Sequence, residues 1–275
     1  MVLSEQDLKA FQEFERSGWE QAADPYHQHW GLLSRQSADP MLDAAKVSSG
    51  SMVLDVATGA GYVAAAAYER GATAVGIDFS GAQIELAQRI YPEMEFREAS
   101  AEALPFDNNT FDAVVVGFGM NHLPDPEAAF LEAHRVLKSG GWFAFTVWAA
   151  PKAGQGFGIV LDAIDEHGVP DANLPPAPPY FRFADTEEAR RAFSQAGFVE
   201  PNTQIVPQYW RHNSPDLVFD AFNEGAVRAT AMLRSQPADV RKTIRSVVRG
   251  EVLKLSQGGQ YVIPVPAALS SARKP

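Results

Sequence analysis
The sequence predicts an α/β fold, a mostly parallel sheet with helices on both faces. Three features predict it. Short apolar runs alternate with helical patterns from residue 52 to residue 148. The first run, Met52-Val53-Leu54, ends on Asp55 and enters a turn of small residues, Ala57-Thr58-Gly59-Ala60-Gly61, that opens an alanine-rich helix. The second run, Ala74-Val75-Gly76-Ile77, also ends on an acid, Asp78, nineteen residues after Gly59. Parallel strands joined by helices require right-handed crossovers.

The elements follow in order. Ser4 caps a first helix carrying Leu8, Phe11 and Phe14, which Pro25 is expected to interrupt, and a further helix over 38–46 carries Met41, Leu42 and Ala45 on one side. Strands are expected near 52–57, 74–78, 94–99 and 111–116, with helices near 61–70, from Ser80 to about 90, and from Pro126 to Leu137. Gly140-Gly141 then turns the chain into a strand from Trp142 to Trp148. Residues 151–180, rich in Gly and Pro and ending in LPPAPPY, read as a mobile loop. A helix near 186–196 and a strand near 198–206 resume the core. Ser214-Pro215 and Pro237 each start an amphipathic helix, and a last strand runs from Tyr261 through Ala267 toward Ser271. The expected organisation is an N-terminal helical flap over 1–45, an α/β core over 46–206, a helical lid insert over 207–258, and a final core strand with its tail over 259–275.

Composition narrows the function. The net charge of −11 opposes binding of phosphate backbones and suits a small neutral or cationic partner, so no nucleic-acid partner is expected. The absence of cysteine excludes disulfides, thiolate nucleophiles and Cys-based zinc sites. His27-x-His29 has no third ligand nearby, so no metal site is expected. The amino terminus lacks the apolar stretch of a secretory signal, and no run reaches membrane-spanning length, which reads as a cytoplasmic protein without membrane insertion.

The turn after the first strand sits where open α/β sheets bind ligands. Gly59 and Gly61 let backbone and ligand come close, and Asp78 is placed to accept from both hydroxyls of a ribose. Residues 59–64 also satisfy the G-x-G-x-x-[GA] pattern of NAD enzymes, so this turn alone leaves the adenine-containing cofactor open.

Four ordered blocks close that choice: VLDVATGAG (53–61), GIDFS (76–80), SAEALPFDNNTFDAVVV (100–116) and HRVLKSGGWFAF (134–145). Together they resemble the class I S-adenosylmethionine-dependent methyltransferases, in the branch of the ubiquinone/menaquinone biosynthesis enzymes. An NAD oxidoreductase gives no reason for the last two blocks. The resemblance implies a Rossmann-like, seven-stranded, mostly parallel sheet whose last strand is antiparallel, S-adenosylmethionine as cofactor, and methyl transfer to a small-molecule acceptor. It also implies residue roles. Ala57, Thr58, Gly59 and Gly61 would line the methionine and ribose end. Asp55 would hold the ammonium end or fix the turn. Asp78 would bind the ribose, with Phe79 on the adenine or in the core. Ala101 would meet the adenine through its backbone, flanked by Ser100 and Glu102. Gly117, Phe118 and Gly119 would flank the methionine moiety, with His122 just beyond. Two departures stand out: Ala57 replaces the first glycine of the family's loop, which requires a negative φ there, and Ser100 replaces the aspartate that accepts from the adenine amine.

A sulfonium is already an activated methyl donor, so alignment supplies much of the rate and a dedicated base is optional. His122 is the candidate base, or it packs on the cofactor or caps the next helix. Tyr26 and Trp30 belong to a flap over the acceptor or to a helix on the sheet edge. Tyr209, Trp210 and Phe222 line an acceptor pocket or pack the lid. Arg241, Lys242, Arg245 and Arg249 read as a solvated helix face. A protein that binds the same cofactor without transferring methyl would keep the same loop.

Overall fold
A computed structural model describes residues 3–169 and 174–275. Its centre is a seven-stranded sheet of β1 (Met52–Val56), β2 (Thr73–Asp78), β3 (Glu95–Glu98), β4 (Phe111–Gly117), β5 (Leu137–Trp148), β6 (Val199–Val206) and β10 (Ala267–Arg273), in the order β3-β2-β1-β4-β5-β10-β6. The first five pair in parallel, and β10 lies antiparallel between β5 and β6. β1 and β4 are apolar along nearly their whole length because both faces are covered. On one face α5 (Pro126–Val136) and α7 (Thr186–Gln195) enclose a core of Phe130, Phe143, Phe145 and Phe193. The other core joins α2 (Ala38–Ala44) and α3 (Tyr62–Glu69) to Trp30, Trp148 and Phe222. The ligand-facing edge is the carboxyl end of β1, β2 and β4, next to the reversal of strand order. No helix among the described residues is long and apolar enough to cross a membrane.

Several elements differ from expectation. α1 is one thirty-residue helix, Glu5–Ser34, and Pro25 lies inside it. A proline inside a helix removes one backbone hydrogen bond and crowds the preceding turn, at a combined cost of about 3 kcal/mol. Packing on both sides of the proline outweighs that cost: Ala22, Ala23 and Trp30 are buried, and Trp30 Nε1 donates to the Ala221 carbonyl at 3.1 Å. Gly140 and Gly141 lie within β5 as a bulge, since Phe111 pairs with Leu137 and Ala113 with Trp142. The loop expected over 151–180 contains α6 (Gly156–His167), whose Phe157, Val160, Ala163 and Ile164 are buried at helical spacing; residues 170–173 of that expected loop lie outside the described residues.

The last strand divides in two. β9 (Gln260–Pro264) joins a small sheet with β7 (Tyr209–His212) and β8 (Ser256–Gln257), and only β10 enters the main sheet. Pro264 and Pro266 flank the break, and neither can donate to a ladder. Between β7 and β8 lie α8 (Leu217–Glu224), α9 (Val227–Arg234) and α10 (Ala238–Leu253); α9 was not foreseen. Arg245 and Arg249 of α10 are not free: both pair with Asp216 at the start of α8.

Pro25→Ala restores the missing backbone donor inside α1. It should raise the unfolding free energy by about 2 kcal/mol, read as a higher midpoint in urea at unchanged slope; an unchanged or lower midpoint would show that the proline costs the helix nothing.

Candidate active site
Two buried carboxylates at neighbouring strand ends build the first loop. Asp55 Oδ2, at the end of β1, accepts from Thr58 Oγ1 at 2.6 Å and from the Ala64 backbone N–H at 3.0 Å. Asp78, at the end of β2, accepts from the Gly59 N–H at 2.9 Å and from the Ser80 N–H at 3.0 Å. Ser80 caps α4 (Gly81–Ile90) by accepting from the Gln83 N–H. Asp78 thus ties the turn after β1 to the helix after β2. Burial raises the Asp55 carboxyl to about 7 and the Asp78 carboxyl to about 6, against the hydrogen bonds that favour their charged forms.

The turn departs from the expected geometry at two positions. Ala57 has φ +53°, in the left-handed region rather than the negative region its side chain prefers. A Cβ on Gly119 would lie 2.6 Å from Ala57 Cβ, so a glycine after β4 lets the strained residue pack there. Gly61 does not face the cavity. A Cβ on it would meet the Phe96 ring at 2.7 Å, so this glycine serves packing under β3. Gly59 does face the cavity, with only Gln83 Oε1 within 4 Å of a built Cβ.

These residues form one end of a cavity of about 950 Å³. Its wall includes Asp55, Ala57, Thr58, Gly59, Asp78, Phe79, Ser100, Ala101, Glu102, Gly117, Phe118, Gly119 and His122. Ser100 Oγ accepts from the Glu102 N–H, and Glu102 Oε1 accepts from the Asp125 N–H at 2.7 Å, which pins the loop after β4. Phe118, at φ +60°, stacks on Trp148 with centroids 3.9 Å apart.

The other end is aromatic. Tyr26, Trp30 and Phe222 line it, with Trp19, Phe157 and Tyr180, which sequence reasoning missed. Tyr209 and Trp210 do not line it: Tyr209 is exposed, and Trp210 is buried beside Trp30, donating to the His29 carbonyl. His122 sits between the two ends. Its Nδ1–H donates to Glu15 Oε2 at 2.7 Å, and Asn121 Nδ2 donates to its Nε2 at 3.0 Å. Trp19 and Tyr180 meet its ring edge-on. Glu15 was also missed. Its signal was a carboxylate four residues from both Phe11 and Trp19, on the buried stripe of α1.

The wall fits a cofactor rich in hydrogen-bond donors. Asp55 and Gln83 line the wall, and Asp55 Oδ1 and Gln83 Oε1 are buried acceptors with no hydrogen-bond partner among the described residues. An ammonium group and ribose hydroxyls would satisfy such acceptors. Gln83 was not foreseen, although its place three residues after the capping Ser80 put it at the mouth of α4.

Two expectations follow from this geometry. Ala57→Gly should stabilise the protein by about 1 kcal/mol by relieving the left-handed alanine, measured by urea unfolding; a loss of stability would contradict the strain. The raised carboxyls make the folded state bind more protons than the unfolded state. Their stabilising contribution is complete below about pH 4 and is lost as pH rises through about 6 and 7. Asp55→Asn should therefore flatten the fall in stability across that window, and an unchanged slope would contradict burial as the cause.

Comparison with known proteins bears on this site. Residues 54–145 match the family model described as Methyltransferase domain. The demethylmenaquinone methyltransferase of Chlorobaculum tepidum is 38% identical over 114 residues, covering 41% of this chain and 46% of that protein. The ubiquinone/menaquinone biosynthesis C-methyltransferase UbiE of Allorhizobium ampelinum is 37% identical over 124 residues, covering 42% and 46%. The chain thus spans about half the length of the curated relatives it matches. The crystal structure of YcgJ from Bacillus subtilis superimposes with a TM-score of 0.56 at 22% identity, covering 86% of this chain and 97% of that one, which is a likeness of fold. With the cofactor loop, the sheet order and this match in agreement, residues 54–145 are a methyltransferase domain, and this domain resembles that of the UbiE-like branch of the class I S-adenosylmethionine-dependent methyltransferases.

Proposed function
We propose that the chain transfers a methyl group from S-adenosylmethionine to a small acceptor carrying an apolar or aromatic ring. The observation that carries this reading is the two-ended cavity, with unpartnered acceptors at the cofactor loop and an aromatic wall opposite. The two curated relatives are named for menaquinone and ubiquinone biosynthesis, and a ring acceptor of that sort suits the wall of Trp19, Tyr26, Trp30 and Phe222.

When bound, S-adenosylmethionine supplies a methyl group already activated on a sulfonium. In this reading Asp55 Oδ1 would hold the ammonium group, and Asp78 with Gln83 the ribose hydroxyls. Phe79 and the Ala101 backbone would meet the adenine, with Ser100 and Glu102 shaping the loop around it. Gly117, Phe118 and Gly119 form the floor between the two ends. The aromatic side chains hold the acceptor ring in place and exclude water, so catalysis draws mainly on alignment. The helices of 207–258 and the flap of 1–45 act as a cover: α1 and α8 are joined by Trp30 on Ala221 and His29 on Glu224. His122 is held by Glu15 in the tautomer with the proton on Nδ1, which leaves Nε2 an acceptor.

Calorimetry with S-adenosylhomocysteine tests the cofactor end. Wild type should bind it, and Asp78→Ala should weaken binding at least tenfold (about 1.4 kcal/mol); equal affinities would remove Asp78 from the site. Transfer of labelled methyl from S-adenosylmethionine to extractable small molecules in cell extract tests the activity, and label confined to protein or nucleic acid would contradict it.

A further inference from the structure
Glu15 is the least expected group in the cavity. It is 2% exposed, comes from α1 and lies outside the matched methyltransferase segment. One oxygen, Oε2, accepts from both Trp19 Nε1 at 3.2 Å and His122 Nδ1 at 2.7 Å. Oε1 makes no hydrogen bond among the described residues, and Glu15 lines the cavity. His122 Nε2, the atom expected to serve as base, is already engaged by Asn121 Nδ2.

A guanidinium faces the same space. Arg228 of α9 lines the same cavity as Glu15 and donates to the Pro175 carbonyl at 3.0 Å. His122, Tyr26, Tyr62 and Tyr180 line the same cavity, as do Lys9, Glu13 and Arg16 on the helix that carries Glu15, with Arg16 paired to Glu98. Burial pushes the Tyr26 and Tyr180 hydroxyls well above their usual range, so they remain protonated donors.

This pair of charges selects its ligand. A cationic acceptor would meet Arg228 and an anionic one would meet Glu15. A neutral ring hydroxyl suits both once it separates into a proton and an oxyanion. We propose that Glu15, held by Trp19 and His122, and Arg228 form an acceptor-ionising subsite for a ring-borne phenol or enol hydroxyl. Glu15 Oε1 takes the hydroxyl proton and becomes a neutral acid. The oxygen keeps the electron pair of the broken O–H bond, and Arg228 holds that oxyanion. The electron pair, on oxygen or delocalised to a ring carbon, forms the new bond to the methyl carbon as the electrons of the carbon–sulfur bond pass to sulfur. The proton on Glu15 leaves to water with the product. His122 is then a positioning residue rather than the base.

The inference rests on the methyltransferase reading, and the two can fail separately. The probe is 4-nitrophenol, whose ionised form has its own absorption band, added to protein saturated with S-adenosylhomocysteine. At a pH below the midpoint of the free probe, binding to wild type should bring up the phenolate band, with the bound midpoint lowered by about one pH unit. Arg228→Met should lose the band or bind the probe at least tenfold more weakly. Glu15→Gln should keep the band but release about one proton per probe to the buffer, measured by calorimetry in two buffers of different ionisation enthalpy. Wild type should release none. S-adenosylhomocysteine binding by each variant shows that it has folded; if Glu15→Gln fails that check, the band in Arg228→Met decides. A wild type that binds no phenol, or binds it un-ionised, overturns the proposal, as do an unaltered band in Arg228→Met or equal proton release from wild type and Glu15→Gln. Failure of wild type to bind S-adenosylhomocysteine would instead overturn the cofactor reading.

Discussion
Asp55 and Asp78 are buried at the carboxyl ends of the neighbouring strands β1 and β2, and among the described residues neither pairs with a cationic side chain. Burying a carboxylate is costly unless hydrogen bonds replace its water. Here the replacements come from the site itself: the Thr58 hydroxyl and the N–H groups of Gly59, Ala64 and Ser80. Each bond that satisfies a carboxylate also fixes the turn or a helix start. The left-handed Ala57, the close approach of Gly119 and the capped entry to α4 follow from this arrangement. What remains unsatisfied, Asp55 Oδ1 and Gln83 Oε1, belongs to residues that line the cavity. The strain and the unpaired acceptors lie where a ligand would use them.

The molecule divides its labour along the sequence. The matched segment 54–145 supplies the cofactor end. Glu15, Trp19, Tyr180 and Arg228 all come from outside it, from α1, the segment before α7, and α9. In the proposed reading, acceptor recognition falls to elements that the shared domain does not specify. α1 is central to this. It presents Glu15, Trp19, Tyr26 and Trp30 inward, and it is fastened to the cofactor side by Glu20, which accepts from the N–H groups of Gly81 and Ala82 at the start of α4. α1 and the start of α4 are thus mechanically joined.

Much of the core was legible because its signals are local. Continuous apolar runs ending on Asp55 and Asp78, the Ser80 cap and the proline opening α5 mark elements within a residue or two of where they lie. Misreadings arose where tertiary packing overrode local preference. Pro25 does not break α1, because buried contacts on both sides hold the helix. Gly61 has the spacing of a ligand glycine but serves Phe96, a partner thirty-five residues away. α6 carried a clear 3.6-residue pattern that its Gly- and Pro-rich flanks obscured. Tyr209 and Trp210 look like a pocket pair, yet successive strand residues face opposite sides, and here neither side is the cavity. Glu15 was visible only as a charge out of place on an apolar stripe, and its partner His122 is 107 residues distant.

The claim on which this account turns is that the carboxylate-held loop cradles the adenosyl group. The most direct measurement is a crystal structure of the protein grown with S-adenosylhomocysteine. The account predicts its ribose hydroxyls on Asp78 and its ammonium on Asp55 Oδ1, with the sulfur directed toward His122 and the aromatic end. Density for the ligand elsewhere, or the same pose with Asp55 and Asp78 making no contact to it, would contradict the account.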